Sequence, residues 1–126
     1  MPIEAERIIP GLYYENWVGN ITEDEVYKSA QTRSRWARDD EAAYYVIIMD
    51  ATAVKRLPPV SSLASAGKAH PNGKMRFMVV NLPRIHTFAV GIIGRFLPNP
   101  MEIYSDRETA ITAAKAVLKA QQNDSS

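Results

Sequence analysis

A chain of 126 residues with 46% hydrophobic and 23% charged residues reads as one globular domain with room for a real core. A formal net charge of +1 argues against a dedicated nucleic-acid binder, and the lack of cysteine excludes disulfides, thiolate metal sites and a cysteine nucleophile. No apolar run approaches the roughly 20 residues of a membrane span, and the acidic start MPIEAERIIP is no signal peptide, so a cytoplasmic setting is expected.

Residues 7–14, rich in Ile, Leu and Tyr, read as a first strand in which Pro10 marks an edge position or a bulge. Glu15-Asn16 reads as a turn and 17–21 as a second strand, together a hairpin. Thr22-Glu23-Asp24-Glu25 is a capping box that opens a helix running to about Arg38. Val26, Ala30, Arg33 and Ala37 share its inner face; Arg33 is expected to lay its stem over the sheet and send its head to water. Arg35 and Arg38 share a different face, and Asp39-Asp40-Glu41 follow at once, which reads as a solvated, self-compensated helix end.

The next segment, 44–50 (YYVIIMD), is an almost unbroken apolar run ending in a carboxylate, as expected of a strand buried on both faces. Asp50 then falls at the C-terminal strand edge, where open α/β sheets build their sites. A loop over 51–57 leads to Pro58-Pro59 and a helix over 60–69, with Val60, Leu63, Ala64 and Gly67 inward and Ser61 and Ser65 outward. His70-Pro71-Asn72-Gly73 turns the chain into a strand over 75–80. A helix over 84–96 directs Ile85, Phe88, Ala89, Ile92 and Phe96 inward. Val90 and Ile93 lie on its apolar shoulder as candidates for self-association. A last strand over 101–104 precedes a second capping box, Ser105-Asp106-Arg107-Glu108. The closing helix runs to about Gln122 on a stripe of Ala110, Ile111, Ala114, Val117 and Leu118, and 121–126 form a polar, flexible tail.

The order β-β-α-β-α-β-α-β-α predicts a single α/β domain over 1–120. Its sheet has four to five mostly parallel strands, the first antiparallel at an edge, with about four helices. Four stretches carry a resemblance: WVGNITEDEV, YYVIIMDATAVKRLPPVSSLASAGK, FMVVNLPRIHTFAVGIIGRF and EIYSDRETAITAAKAVL. In this order, from about Ile8 to Leu118, they resemble a STAS domain, the sulphate-transporter and anti-sigma-factor-antagonist family, in its compact SpoIIAA-like form.

The resemblance implies a non-enzymatic, regulatory protein-interaction module with an unknown protein partner and no cofactor. In the family's antagonists a kinase-like partner phosphorylates the first serine of an Asp-Ser-Ser-Gly motif. Val60-Ser61-Ser62-Leu63 matches that stretch here, which makes Ser61 the candidate phosphoacceptor, but the motif's Asp and Gly are missing. A partner or ligand edge is expected at Asp50, Thr52, Ser61, Ser62, Asn81 and Arg84. The competing reading is a small-ligand or nucleotide sensor with a pocket at that edge, where Arg84 meets an anion. Plain roles stand beside these: Ser61 and Ser62 as helix caps, and Asp50 as an acceptor of loop amides.

His70 and His86 lack the ligand spacing of a metal site. A Ser61–His86–Asp50 triad has no nucleophile elbow, and the glycines form no phosphate loop. Tyr13, Tyr14, Trp17, Tyr44 and Tyr45 are expected in the sheet rather than on a base-stacking surface, so neither nucleic acid nor membrane is an expected partner.

Overall fold

The chain makes its first reversal at Pro10-Gly11, where Gly11 takes a φ of +86° that other residues avoid. The structure, a computed structural model, describes residues 3–59, 75–84 and 102–124, with side chains through Gln121. The reversal joins β1 (Ile3–Ile9) to β2 (Leu12–Asn20) as an antiparallel pair. The hairpin expected at Glu15-Asn16 is therefore misplaced: those residues lie inside β2, opposite Ala5 and Glu4. Pro10 sets a turn-compatible φ and Gly11 supplies the positive one, which Glu-Asn has no need to do in an extended strand.

After β2 come α1 (Glu23–Asp39), β3 (Tyr45–Arg56), β4 (Met75–Val80), β5 (Glu102–Tyr104) and α2 (Arg107–Asp124). The sheet order β1-β2-β3-β4-β5 repeats the chain order, and every pair after the first is parallel. The mostly parallel α/β expectation is met, with the antiparallel strand at an edge. Two of the four expected helices are described. The helix expected over 60–69 lies outside the described residues, as does that over 84–96 apart from Arg84.

β3 is longer than expected. The predicted loop from Ala51 is strand, because β2 continues alongside it: Val18 faces Ala53, Gly19 faces Val54 and Asn20 faces Arg56. Pairing with β4 stops at Asp50 and Val80. Asp50 thus marks where β3 loses one neighbour, not where the strand ends.

Alternation along the strands makes two buried faces. Leu12, Tyr14, Val46, Ile48, Met78 and Val80 meet Ala110, Ala114 and Leu118 of α2. Trp17, Met49, Ala51 and Val79 meet Val26 and Ala30 of α1, and Tyr13, Tyr45, Ile47 and Met75 meet Ala37. Thr22 caps α1 by accepting the Glu25 amide at 3.3 Å, and its hydroxyl donates to Glu25 Oε1 at 2.7 Å. In α2 the cap is Asp106 rather than Ser105: it accepts from the Thr109 amide at 2.8 Å and the Thr109 hydroxyl at 3.0 Å.

Arg33 departs from expectation. Its head does not reach water: it is 4% exposed, and Nη1 donates to Oε1 of Glu15 at 3.2 Å. Glu15 has no exposure at all and also accepts from Trp17 Nε1 at 3.3 Å. The guanidinium lies 5.9 Å from the Phe77 ring centre. Once β2 runs through Glu15, alternation puts this carboxylate on the α1 face, and a buried carboxylate calls for a cation.

Candidate functional site

The expected edge is partly assembled around Asp50, on the α2 face of β3. Tyr14, two positions before Asn16, which is the cross-strand partner of Asp50, donates its hydroxyl to Asp50 Oδ2 at 2.5 Å. Thr52 turns back with both donors, its amide at 3.0 Å and its hydroxyl at 2.6 Å from Oδ1. Asn81, which leaves β4 at a φ of +53°, donates Nδ2 to Thr52 Oγ1 at 3.1 Å. Its own amide donates to the Tyr104 carbonyl at 2.8 Å, which ties β5 to the same edge. Asp50, Thr52 and Asn81 are therefore one connected group. Arg84 is exposed and makes no hydrogen bond or ion pair with a described residue. Ser61 and Ser62, like Val90 and Ile93, lie outside the described residues.

Sequence reasoning misses three members of this group, Glu6, Tyr14 and Arg107. Arg107, the first residue of α2, lays its guanidinium 4.4 Å from the Tyr14 ring centre and pairs with Glu6 of β1 at 3.1 Å. The Glu6–Tyr14–Asp50–Thr52–Asn81 chain with Arg107 above it joins four strands and the start of α2. The signal for Tyr14 is its alternation with Leu12; for Arg107 the sequence holds none.

The electrostatics separate the two central groups. Burial works against the Asp50 carboxylate, but the hydrogen bonds from Thr52 and Tyr14 outweigh it, so its pKa falls below the ordinary value. Burial, then the bond to Asp50, pushes the Tyr14 phenol well above the ordinary tyrosine value. At neutral pH Asp50 is a saturated anion and Tyr14 a fixed donor. General acid–base work needs a group poised near the operating pH, which neither provides. What the edge offers outward is the exposed surface of Thr52, Asn81 and Arg84.

A second carboxylate hub lies at the other end of the sheet. Asp40, just past α1, accepts from the Tyr13 hydroxyl at 2.7 Å, the Gly11 amide at 3.2 Å and Arg7 Nε at 3.2 Å. Burial again opposes ionisation, and Arg7 and Tyr13 overcome it to lower the Asp40 pKa. This hub fastens the β1–β2 turn to the end of α1. On β5, Glu102 binds Arg76 and the Tyr104 hydroxyl. Among the described residues no group of three or more His, Asp or Glu is placed to hold a metal ion. Nor, among them, is any helix long and apolar enough to cross a membrane.

No family model and no curated protein sequence matches the chain. Solved structures do. The anti-sigma factor antagonist SpoIIAA in its unphosphorylated form superposes with a TM-score of 0.66 at 12% identity, covering 90% of this chain and 97% of that one. A candidate anti-sigma factor antagonist of Thermotoga maritima gives 0.54 at 11% identity, covering 90% and 94%. An uncharacterized protein of Shewanella loihica with a SpoIIAA-like fold gives 0.53 at 16% identity, covering 89% and 91%. Identities this low carry architecture alone, and on that basis the chain has the SpoIIAA-like α/β fold.

Proposed function

We propose that the chain is a regulatory protein-interaction module whose partner docks on the edge formed by Thr52, Asn81 and Arg84 and continuing to Ser61 and Ser62. The observation that carries this reading is the end-to-end likeness to an anti-sigma factor antagonist, 90% of this chain against 97% of that one. The chemistry of the edge supports it, since Asp50 is saturated by Tyr14 and Thr52 and so braces a surface rather than reacting at it. Ser61 is the proposed phosphoacceptor. A phosphate there, at the start of the helix expected over 60–69, would be tolerated by the fold and would act by excluding the partner. The ligand-sensor alternative uses the same edge, but Asp50, Thr52 and Asn81 bond to one another there, which favours a protein surface.

The test is site-specific photo-crosslinking in cells, with the crosslinker at Thr52 and, as control, at Lys119 on α2. One protein captured from Thr52 alone, and lost with Ser61→Asp, is the expected result. No capture from Thr52, together with a saturable thermal shift by a nucleotide or metabolite that Asn81→Ala abolishes, refutes it in favour of the sensor.

A further inference from the structure

One flank of α1 carries a feature that the Asp50 edge does not use. A recess of about 490 Å³ follows the helix, lined among the described residues by Tyr27, Ala30, Gln31, Ser34, Arg35 and Arg38. Its lining is graded. Tyr27, 59% exposed, and Ala30 make an apolar end. Gln31 and Ser34 supply polar groups in the middle, and two guanidiniums close the other end. Because α1 runs back along the sheet toward the start of β3, the cationic end lies opposite the Asp50 edge.

Among the described residues no ion pair matches the two arginines at this end. Lys28, on the same side of α1, is matched to Asp24 at 2.9 Å. Asp40 faces Arg7, Gly11 and Tyr13 instead. Arg35 and Arg38 form no ion pair or hydrogen bond through their side chains with any described residue. Of the three acidic residues expected to compensate this helix end, Asp40 turns toward the β1–β2 hairpin, while Asp39 and Glu41 are exposed and form no ion pair with Arg35 or Arg38.

We infer that this recess is a second docking surface, which takes a short acidic segment of a protein partner with an apolar side chain on Tyr27 and carboxylates on Arg35 and Arg38. The spacing sets the motif. At about 1.5 Å of rise per residue, Arg35 and Arg38 lie roughly 12 and 16 Å along the helix from Tyr27. An extended segment at about 3.3 Å per residue covers those distances in about four and five residues. Side chains alternate along an extended segment, so an apolar residue followed four and six positions later by Asp or Glu keeps all three on the facing side, and the long arginine side chains, whose forks bind carboxylates in two-pronged geometry, take up the small offset. Nucleic acid fits less well. A phosphate backbone needs a longer basic track, and the whole chain carries a formal net charge of +1.

The experiment is fluorescence anisotropy with a labelled ten-residue peptide carrying one leucine and, four and six residues on, two glutamates. The expected result is saturable binding that weakens with salt. It falls at least about tenfold with glutamine in place of the glutamates, or with Arg35→Gln/Arg38→Gln in the protein. Tyr27→Ala, at the other end of the recess, weakens it separately, while circular dichroism reports both variants folded. Ser61→Asp and Asn81→Ala leave it unchanged, which separates this surface from the Asp50 edge. No binding up to millimolar peptide, equal binding of the glutamine peptide, or undiminished binding by the double arginine variant overturns the inference. So does a single-stranded oligonucleotide of equal charge that binds more tightly through the same two arginines.

Discussion

Removing the Arg33 guanidinium would expose how much the α1 layer depends on one buried ion pair. Arg33 is 4% exposed and Glu15 not at all, and the carboxylate's second oxygen, Oε2, has no hydrogen-bond partner among the described residues. In Arg33→Met the thioether stem keeps most of the packing on the sheet, but Glu15 is left with the Trp17 indole as its one donor. Breaking a buried pair from one side typically costs about 3–5 kcal/mol, against about 5–15 kcal/mol for the whole stability of such a domain. With a urea slope of about 2 kcal/mol/M, a loss of about 4 kcal/mol lowers the midpoint by about 2 M. Glu15→Leu should cost a similar amount by stranding Arg33. The double variant Glu15→Leu/Arg33→Met removes both charges. It should lie between neutral and about 1–4 kcal/mol more stable, because the native pair is incompletely satisfied. Urea unfolding followed by the fluorescence of Trp17 and Trp36 measures all three. A single-variant loss under about 1 kcal/mol would overturn this account, since it would mean that water or a shift of α1 readily serves Glu15 in place of Arg33.

Gly11→Ala should cost about 1–2 kcal/mol in the same assay, because the added Cβ has room, 3.5 Å from the Tyr44 carbonyl oxygen, but φ is +86°. The Asp40 and Asp50 carboxylates lie below their ordinary values, so their contribution is complete above about pH 4 and is lost as pH falls through the folded values. Asp50→Asn should therefore flatten the acid side of a melting-temperature profile and, because the Asp50 carboxylate helps to hold the Tyr14 phenol protonated, also reduce the alkaline loss. Tyr13 and Tyr14 are raised, first by burial, so their contribution is complete below about pH 10 and is lost above it; Tyr14→Phe should reduce that alkaline loss. Ile93→Asp, in the segment proposed for self-association, should turn an oligomer into a folded monomer in sedimentation; a wild type that is already monomeric at high concentration removes that proposal.

Legibility in the sequence follows local chemistry. Met75–Val80 is readable to the residue, because six apolar or basic residues stand between an Asn-Gly turn and Leu82-Pro83. The inner stripes of α1 and α2 are equally plain, since 3.6 periodicity is a property of the helix alone. The hairpin is not, because Glu15 looks like a turn residue when taken without Arg33. Each of these two residues is anomalous alone and ordinary as a pair, and the pairing crosses the α1–sheet interface. The extra length of β3 is hidden likewise: Ala51–Arg56 is polar enough to pass for loop, and becomes strand because β2 offers it a neighbour. At the Asp50 edge, the bond to Thr52 two residues on is foreseeable, while those from Tyr14 and Asn81 depend on which strands lie side by side.

Since the strands lie side by side in the order in which they occur along the chain, each one after the first adds to the rim of a sheet already begun. None has to be threaded between two finished neighbours. The α2 face follows a different timetable. Leu12, Tyr14, Val46 and Ile48 belong to the early part of the chain, yet Ala110, Ala114 and Leu118 cover them from its far end. A nascent or truncated chain lacking α2 would carry a bare wall of aliphatic and tyrosine side chains on a nearly complete sheet, the kind of surface that draws chaperones and neighbouring copies. The helix α2 is in this sense the seal of the molecule: a stretch made late covers strands made early.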